Sequence, residues 1–476
     1  MTVIDSIREH AVRDPGAAAI VTAPREGVAA RVSYEELVST LDAHAAELRA
    51  AGVVRGERCG LVARQGPAFV ERALGILAAG GCVAPIPDDH KGAVLDGFVR
   101  RSKLHWIQHE ETGFAVTPGP AAGPVDGADD AEFRALDPAY LRFTSGTTNL
   151  RKGVILGHRA IEERVVAANR VLGIGPEDRI LWLLPMAHHF VVSILLYLRH
   201  GATILLPSSS LAQPVLELAG AERATVFYAS PYHYHLLGKD ASELGLPDVR
   251  LAVSTAEGLR AEIAERFLQR FGRPLSQALG IIEVGLPVIN VGHAADKPTA
   301  LGRPLPDYDV WLRGDDGSPV TATGSPERTG EVCIRGPGCF GAYLDPWLPA
   351  AGVLAPDGFR TGDQGWFDED GDLHLAGRRT NRINMAGMKF FSEEVEAVLD
   401  EMPGVERSRV FSRDHPKLGE IPVAQIVPTN ADAAPTRKEL VAWCRERLPS
   451  YKIPREFGVV EALPLTATGK LGRVGP

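Results

Sequence analysis

Behind Ser33-Tyr34-Glu35-Glu36, apolar residues recur at Leu37, Leu41, Ala45 and Leu48. A serine N-cap with glutamate three positions on is a capping box, and the spacing predicts an amphipathic helix. Gly52 is placed to stop it. The run Arg58–Ala63 suits a buried strand, Pro67–Ala79 a helix stopped by Gly80-Gly81, and Cys82–Ile86 a second strand. Strand, helix, strand is the signature of a parallel sheet covered by helices. Glu111–Asp130, rich in Gly, Pro, Ala and Asp, reads as a surface loop after which the alternation resumes. Further strands are predicted at Thr203–Leu206, Thr225–Ala229 and Leu251–Ser254, and an amphipathic helix at Ala261–Phe271, ended by Gly272.

The pattern changes after residue 300. Asp309–Leu312, Glu331–Arg335 and Asp372–Ala376 are short strands between turns such as Asp315-Asp316-Gly317 and Glu369-Asp370-Gly371, which predicts antiparallel β structure. The last hundred residues read as a helix at Glu393–Leu399, strands at Ser408–Phe411 and Pro422–Val427, and a helix at Arg437–Leu448 with Lys438, Arg445 and Arg447 on its polar side. The fold class is therefore α/β. A large N-terminal body combines parallel βαβ sheets with an antiparallel β subdomain, and a small α+β domain follows.

With 45% hydrophobic and 23% charged residues, the 476-residue chain has ample core material, which excludes global disorder. A net charge of −9 argues against nucleic acid or an anionic membrane as partner. Five cysteines without a C-x-x-C pair argue against a disulfide framework or a zinc site. Residues 1–15 carry mixed charge and no apolar segment of signal-peptide length. The most apolar stretch, Ile180–Pro207, is interrupted by Pro185, His188, His189, Arg199 and His200 and makes a poor membrane span. These features predict a soluble cytoplasmic protein. The cations divide into 10 Lys and 41 Arg, so each lysine stands out.

One lysine falls in Leu141-Arg142-Phe143-Thr144-Ser145-Gly146-Thr147-Thr148-Asn149-Leu150-Arg151-Lys152-Gly153-Val154. A strand runs into a loop whose small residues let backbone N–H groups approach an anion, with hydroxyls and a cation beside them. That chemistry suits the phosphates of a nucleotide, although the Walker A spacing is absent.

This loop resembles T-S-G-[ST]-T-G-x-P-K-G of the adenylate-forming superfamily: acyl- and aryl-CoA ligases, adenylation domains of nonribosomal peptide synthetases, and firefly-type luciferases. Asn149 and Arg151 replace the usual Gly and Pro. The resemblance covers nearly the whole chain, with the motifs in the family's order. It implies that Thr144, Ser145, Gly146, Thr147, Thr148 and Lys152 hold ATP phosphates. Leu279-Gly280-Ile281-Ile282-Glu283 stands where the family has aromatic-G-x-T-E. Leu279 takes the adenine-stacking place, Ile282 the α-phosphate place, and Glu283 would help hold Mg²⁺ as a hard oxygen ligand. Phe359-Arg360-Thr361-Gly362-Asp363 matches [YWF]-[RK]-T-G-D, which implies that Asp363 accepts from both ribose hydroxyls. Gly377–Gly387 resembles the crossover motif: Arg378 would contact ribose or phosphate, Thr380 stands at the hinge, and Gly387 would line the pantetheine channel. Pro464-Leu465-Thr466-Ala467-Thr468-Gly469-Lys470 matches P-x-T-x-x-G-K, whose lysine bridges the acid's carboxylate and the α-phosphate and relieves their repulsion.

The resemblance further implies a body over residues 1–379 and a rotating domain over residues 380–476. His188 falls where the family gates its acid pocket, and His189 where aryl-acid activators carry Asn. No Asp occurs from Met186 to Ile194, which argues against an α-amino acid. Tyr228, Ser254, Thr255, Ala256 and Gly280 fall on pocket walls, whereas His233 and His235 lack a third partner for a metal. The implied reaction joins a carboxylic acid, aryl or acyl, to AMP from Mg·ATP and passes it to the thiol of CoA or a carrier protein's phosphopantetheine. Alternatives are an amine acceptor, a carrier-protein-only ligase, and an acyl-binding homologue with impaired adenylation.

Overall fold

The computed structural model describes residues 2–23, 30–119, 130–143, 152–320, 324, 328–354, 358–386, 388–416 and 418–464. Helix ends follow local chemistry. Ser33 Oγ accepts from the Glu36 N–H at 3.1 Å, and the Glu36 carboxylate accepts from the Ser33 N–H at 2.8 Å, opening the helix Tyr34–Ala50. Thr2 with Asp5 and Thr436 with Glu439 build the same box on the helices Val3–Arg13 and Arg437–Arg447. Gly80 and Gly272, at φ of +87° and +66°, end Pro67–Ala79 and Ala261–Phe271.

The described residues form two compact units. One comprises residues up to 309 together with 335–359; the other comprises 310–334 with 360 onward. In the first unit, one eight-stranded sheet runs Gly285–Ile289, Leu275–Ile281, Leu251–Ser254, Val226–Ala229, Arg179–Trp182, Thr203–Leu206, Ala18–Thr22, Ala30–Ser33. Its inner strands are parallel and its edge pairs antiparallel. Its covered face is a core that includes Leu181, Phe227, Tyr234 and Phe267. The second sheet runs Trp347–Pro349, Ala342–Leu344, Gly153–Gly157, Pro138–Phe143, Cys82–Ile86, Arg58–Val62, Trp106–His109, Thr117–Pro118.

The other unit holds two antiparallel systems. Asp309–Arg313, Gly330–Arg335, Phe359–Phe367 and Leu373–Arg378 form a four-stranded sheet in that order. The hairpin Val405–His415 with Gly419–Pro428 anchors a five-stranded sheet. Its core, including Phe390, Val395, Val410 and Leu440, joins it to the helices Ser392–Asp400 and Arg437–Arg447. This hairpin outruns the expected Ser408–Phe411 and Pro422–Val427, because ladder bonds continue through polar residues that carry no apolar signal.

The stretch expected as a loop at 111–130 is only partly so. Thr117–Pro118 pairs antiparallel with Trp106–Ile107, and Gly119 N–H donates to His105 O at 2.7 Å, so an open sheet edge is partly closed. Among the described residues no helix is long and apolar enough to cross a membrane.

One buried cation fixes the turn after Leu275–Ile281. Arg164, on the helix His158–Leu172, is 2% exposed. Its Nη1 donates to Ile282 O at 2.9 Å and its Nε to Gly338 O at 3.0 Å. Gly338 sits so close to this helix, at φ +68°, that a Cβ would lie 2.4 Å from Ala160 O. Replacing Arg164 with Leu strands those carbonyls, so stability should fall by about 3 kcal/mol. The loss should appear as a lower urea midpoint, with Arg164→Lys recovering only part of it because lysine lacks the fork.

Candidate active site

Four rings gather on the strands Arg179–Trp182 and Val226–Ala229 and the short helices after Pro185. Trp182 stacks on Tyr228, with ring centroids 5.0 Å apart and planes 8° apart. His189 meets Trp182 and Tyr228 edge-on at 6.1 and 6.3 Å, and Tyr197 meets Tyr228 edge-on at 6.3 Å. Such offset and edge contacts stabilise aromatic clusters beyond their area. Beside them opens a narrow pocket with Val192, Tyr197, Tyr228, Val253, Gly280 and Leu286 among its walls. Tyr228 and Gly280 were expected there; Val192, Tyr197, Val253 and Leu286 were not. Their apolar or mixed character carries no motif, and only the fold brings them together.

The other expected wall residues lie outside that lining. Ser254 is fully buried, and its Oγ has no partner among the described residues. Thr255 Oγ1 donates to Ala278 O at 3.3 Å. Ala256 turns the chain at φ +77°, an uncommon conformation for a residue with a side chain. The carbonyl of His188 accepts from Arg142 Nη1. His233 Nδ1 lies 2.8 Å from Ser230 Oγ, closing a cap on the helix Pro231–Lys239.

Glu283 follows Gly280 by three positions and is 8% exposed. Tyr343 Oη donates to Glu283 Oε1 at 3.0 Å. Lys152 Nζ stands over the Tyr343 ring, 4.5 Å from its centroid. Tyr343 thus links the loop lysine to the buried carboxylate, a link no motif announced. Burial pushes the Glu283 carboxyl above its ordinary range, against the opposing pull of Tyr343, Arg142 and Lys152. Leu279 and Ile282 are half-buried on the same segment.

In the second unit, the antiparallel register sets Asp363 opposite Arg378, and Arg378 Nε donates to Asp363 Oδ1 at 2.9 Å. Two residues expected in separate nucleotide roles are therefore partners. Thr361 Oγ1 donates to Val332 O at 2.9 Å and accepts from the Asp363 N–H at 3.0 Å. Arg360 Nε donates to Glu331 Oε2 at 3.0 Å. Thr380 is exposed in the turn Arg379–Asn381, its Oγ1 donating to Asn381 Oδ1 at 3.3 Å. Thr144, Ser145, Gly146, Thr147, Thr148, Gly387 and Lys470 lie outside the described residues.

A carboxyl whose folded pKa is raised destabilises the native state as pH climbs through its titration, because the unfolded chain ionises more readily. Glu283→Gln removes that penalty while keeping an acceptor for Tyr343. The variant should melt higher than the native chain at neutral pH, and the gap should close as pH falls toward the ordinary glutamate range. Thermal melts across pH check this; a gap that widens on acidification contradicts it.

Comparison with known proteins follows the same outline. The AMP-binding enzyme family matches residues 7–344, and the AMP-binding enzyme C-terminal domain matches residues 394–470. The feruloyl-CoA synthase of an Amycolatopsis species is 30% identical over 471 residues, covering 94% of each chain. The indoleacetate–CoA ligase of Aromatoleum aromaticum is 29% identical over 382 residues, covering 77% of this chain and 70% of that one. In fold, the ATP-bound MatB of Rhodopseudomonas palustris superposes with a TM-score of 0.85 at 22% identity, covering 99% of this chain and 98% of that one. The chain belongs to the AMP-binding enzyme family and is an adenylate-forming ligase of the acyl- and aryl-CoA synthetase kind.

Proposed function

We propose that this ligase activates an aryl carboxylic acid, with a medium acyl acid as the wider class, and passes it to CoA. One observation carries the reading. The apolar cavity, walled in part by Tyr197 and Tyr228, reaches Gly280, and three residues further the same segment carries the buried Glu283 carboxylate with Lys152 beyond Tyr343. An apolar ring and an anionic reaction are thus served by one short stretch of chain. The relatives named for ferulate and indoleacetate act on aromatic acids, which favours the aryl class.

In this reading a carboxylate oxygen of the acid attacks the α-phosphorus of ATP. The bond to pyrophosphate breaks and acyl-AMP forms. A thiolate then attacks the acyl carbon, AMP leaves, and the thioester is released. Lys470 and Lys152 offset the repulsion between carboxylate and phosphates. The hydroxyls and amides of Thr144, Ser145, Gly146, Thr147 and Thr148 cradle phosphate. Asp363, oriented by Arg378, accepts from ribose; Leu279, Gly280 and Ile282 flank the nucleotide, and His188 gates the acid.

Magnesium takes oxygen ligands, and the buried Glu283 carboxylate would supply one. The ion would neutralise phosphate charge when bound. The hinge at Thr380 divides a body of residues 1–379 from a domain of residues 380–476, and Gly387 lines the path of the thiol. A carrier protein's phosphopantetheine is a second acceptor of the same chemistry. The cytoplasm, where ATP and CoA are available, is the setting.

Acid-dependent ATP–pyrophosphate exchange across hydroxycinnamic, benzoic, arylacetic and medium-chain fatty acids tests this. Exchange should be strongest with an aromatic acid and should fall about 10²- to 10³-fold in Lys470→Ala. CoA should then yield the thioester. No exchange with any acid contradicts adenylation, and a product with an amine but with neither thiol contradicts the acceptor.

A further inference from the structure

Arg142 is the charged residue of the strand Pro138–Phe143, whose Leu141 and Phe143 enter an apolar core. Tyr140 and Arg142 share the opposite face. Tyr140 Oη donates to Ala187 O at 3.4 Å, and Arg142 Nη1 donates to the next carbonyl, that of His188. A strut to one carbonyl does not need a guanidinium, and a neutral donor would serve it without desolvating a charge. The Nε of Arg142 is buried and has no hydrogen-bond partner among the described residues. Such a donor, left unmade, costs about 1–3 kcal/mol, so a native structure keeps it for a reason.

The groups facing this guanidinium indicate the reason. It feels the charge of Glu283 and the hydroxyls of Tyr140 and Tyr228. Tyr228 is a wall of the aromatic cavity, and Glu283 is the buried carboxylate. Arg142 is therefore within electrostatic reach of both a cavity wall, Tyr228, and the buried carboxylate. It closes no ion pair with Glu283 among the described residues, so its positive charge is not consumed by that neighbour.

We propose that Arg142 binds the carboxylate of the acid substrate, its Nε–H donating to a carboxylate oxygen while the ring or acyl chain occupies the cavity beside Tyr228. This rests on the ligase reading above and assigns within it the group that selects an ionised acid before ATP reacts. A carboxylate entering a desolvated pocket needs a fixed opposite charge, and a guanidinium keeps its charge there.

The test measures binding by calorimetry without nucleotide. It uses the acid that drives exchange fastest and its primary carboxamide as the neutral isostere, both in a Lys470→Ala background so that the loop lysine adds no charge. With Arg142 present, the acid should bind at least about tenfold more tightly than the carboxamide. Arg142→Gln should weaken the acid about ten- to a hundredfold, leave the carboxamide within about twofold, and so erase the preference. Arg142→Lys, which keeps charge without the fork, should restore part of it and serves if the glutamine variant fails to fold. Equal binding of acid and carboxamide with Arg142 in place overturns the proposal. So does a parallel loss of both ligands in Arg142→Gln, which makes Arg142 only a support for the His188 segment. Exchange by the native chain with equal binding of the two ligands sinks this inference alone, whereas absence of exchange sinks the ligase reading.

Discussion

A carboxylate kept from water must be surrounded by groups that offset its desolvation, and Glu283 imposes that constraint on the body of this protein. Tyr343 donates to it, Lys152 lies beyond the same ring, and Arg142 adds charge from a neighbouring strand. Arg164 holds the backbone on either side, through Ile282 and Gly338. These residues come from five separate stretches of sequence. Glu283 follows a strand of one eight-stranded sheet, while Arg142 and Tyr343 belong to the other. The Tyr343–Glu283 hydrogen bond therefore crosses between sheets, and a small shift of either would be felt at the carboxylate.

The aromatic end obeys a different rule. Trp182, His189, Tyr197 and Tyr228 hold one another by stacked and edge contacts, which fix Tyr197 and Tyr228 where they line the cavity. Nonpolar binding and charge compensation are supplied by neighbouring but separate sets of residues. The nucleotide candidates Asp363 and Arg378 belong to the second compact unit, where their mutual ion pair holds each side chain ready.

Local rules made much of the fold legible. The Ser33–Glu36 box, the stops at Gly80 and Gly272, and the strands Cys82–Ile86 and Leu251–Ser254 stand where periodicity put them, because these choices depend on a few adjacent residues. The family motifs named Glu283, Asp363 and Arg378 but gave neither the pairing of the last two nor the donor to Glu283. Tyr343 lies 60 residues from Glu283 along the chain, and no spacing rule joins them. Arg142 and Arg164 interrupt otherwise apolar patterns, and a pattern reading assigns arginine to the surface. Their burial follows from tertiary contacts that the periodicity does not encode. Gly330–Arg335 also clusters with the later strands across an intervening segment, a grouping that chain order conceals.

The stack of Trp182 on Tyr228 has an optical consequence. An indole pressed face to face against a phenol, and met edge-on by an imidazole, sits in an unusually defined electronic environment. A conjugated ligand placed beside Tyr228 would perturb that environment directly, and absorption or emission from Trp182 would change as the cavity fills. Trp182 is thus a built-in chromophore behind the Tyr228 wall, placed to register a change at that ring before any bond is made.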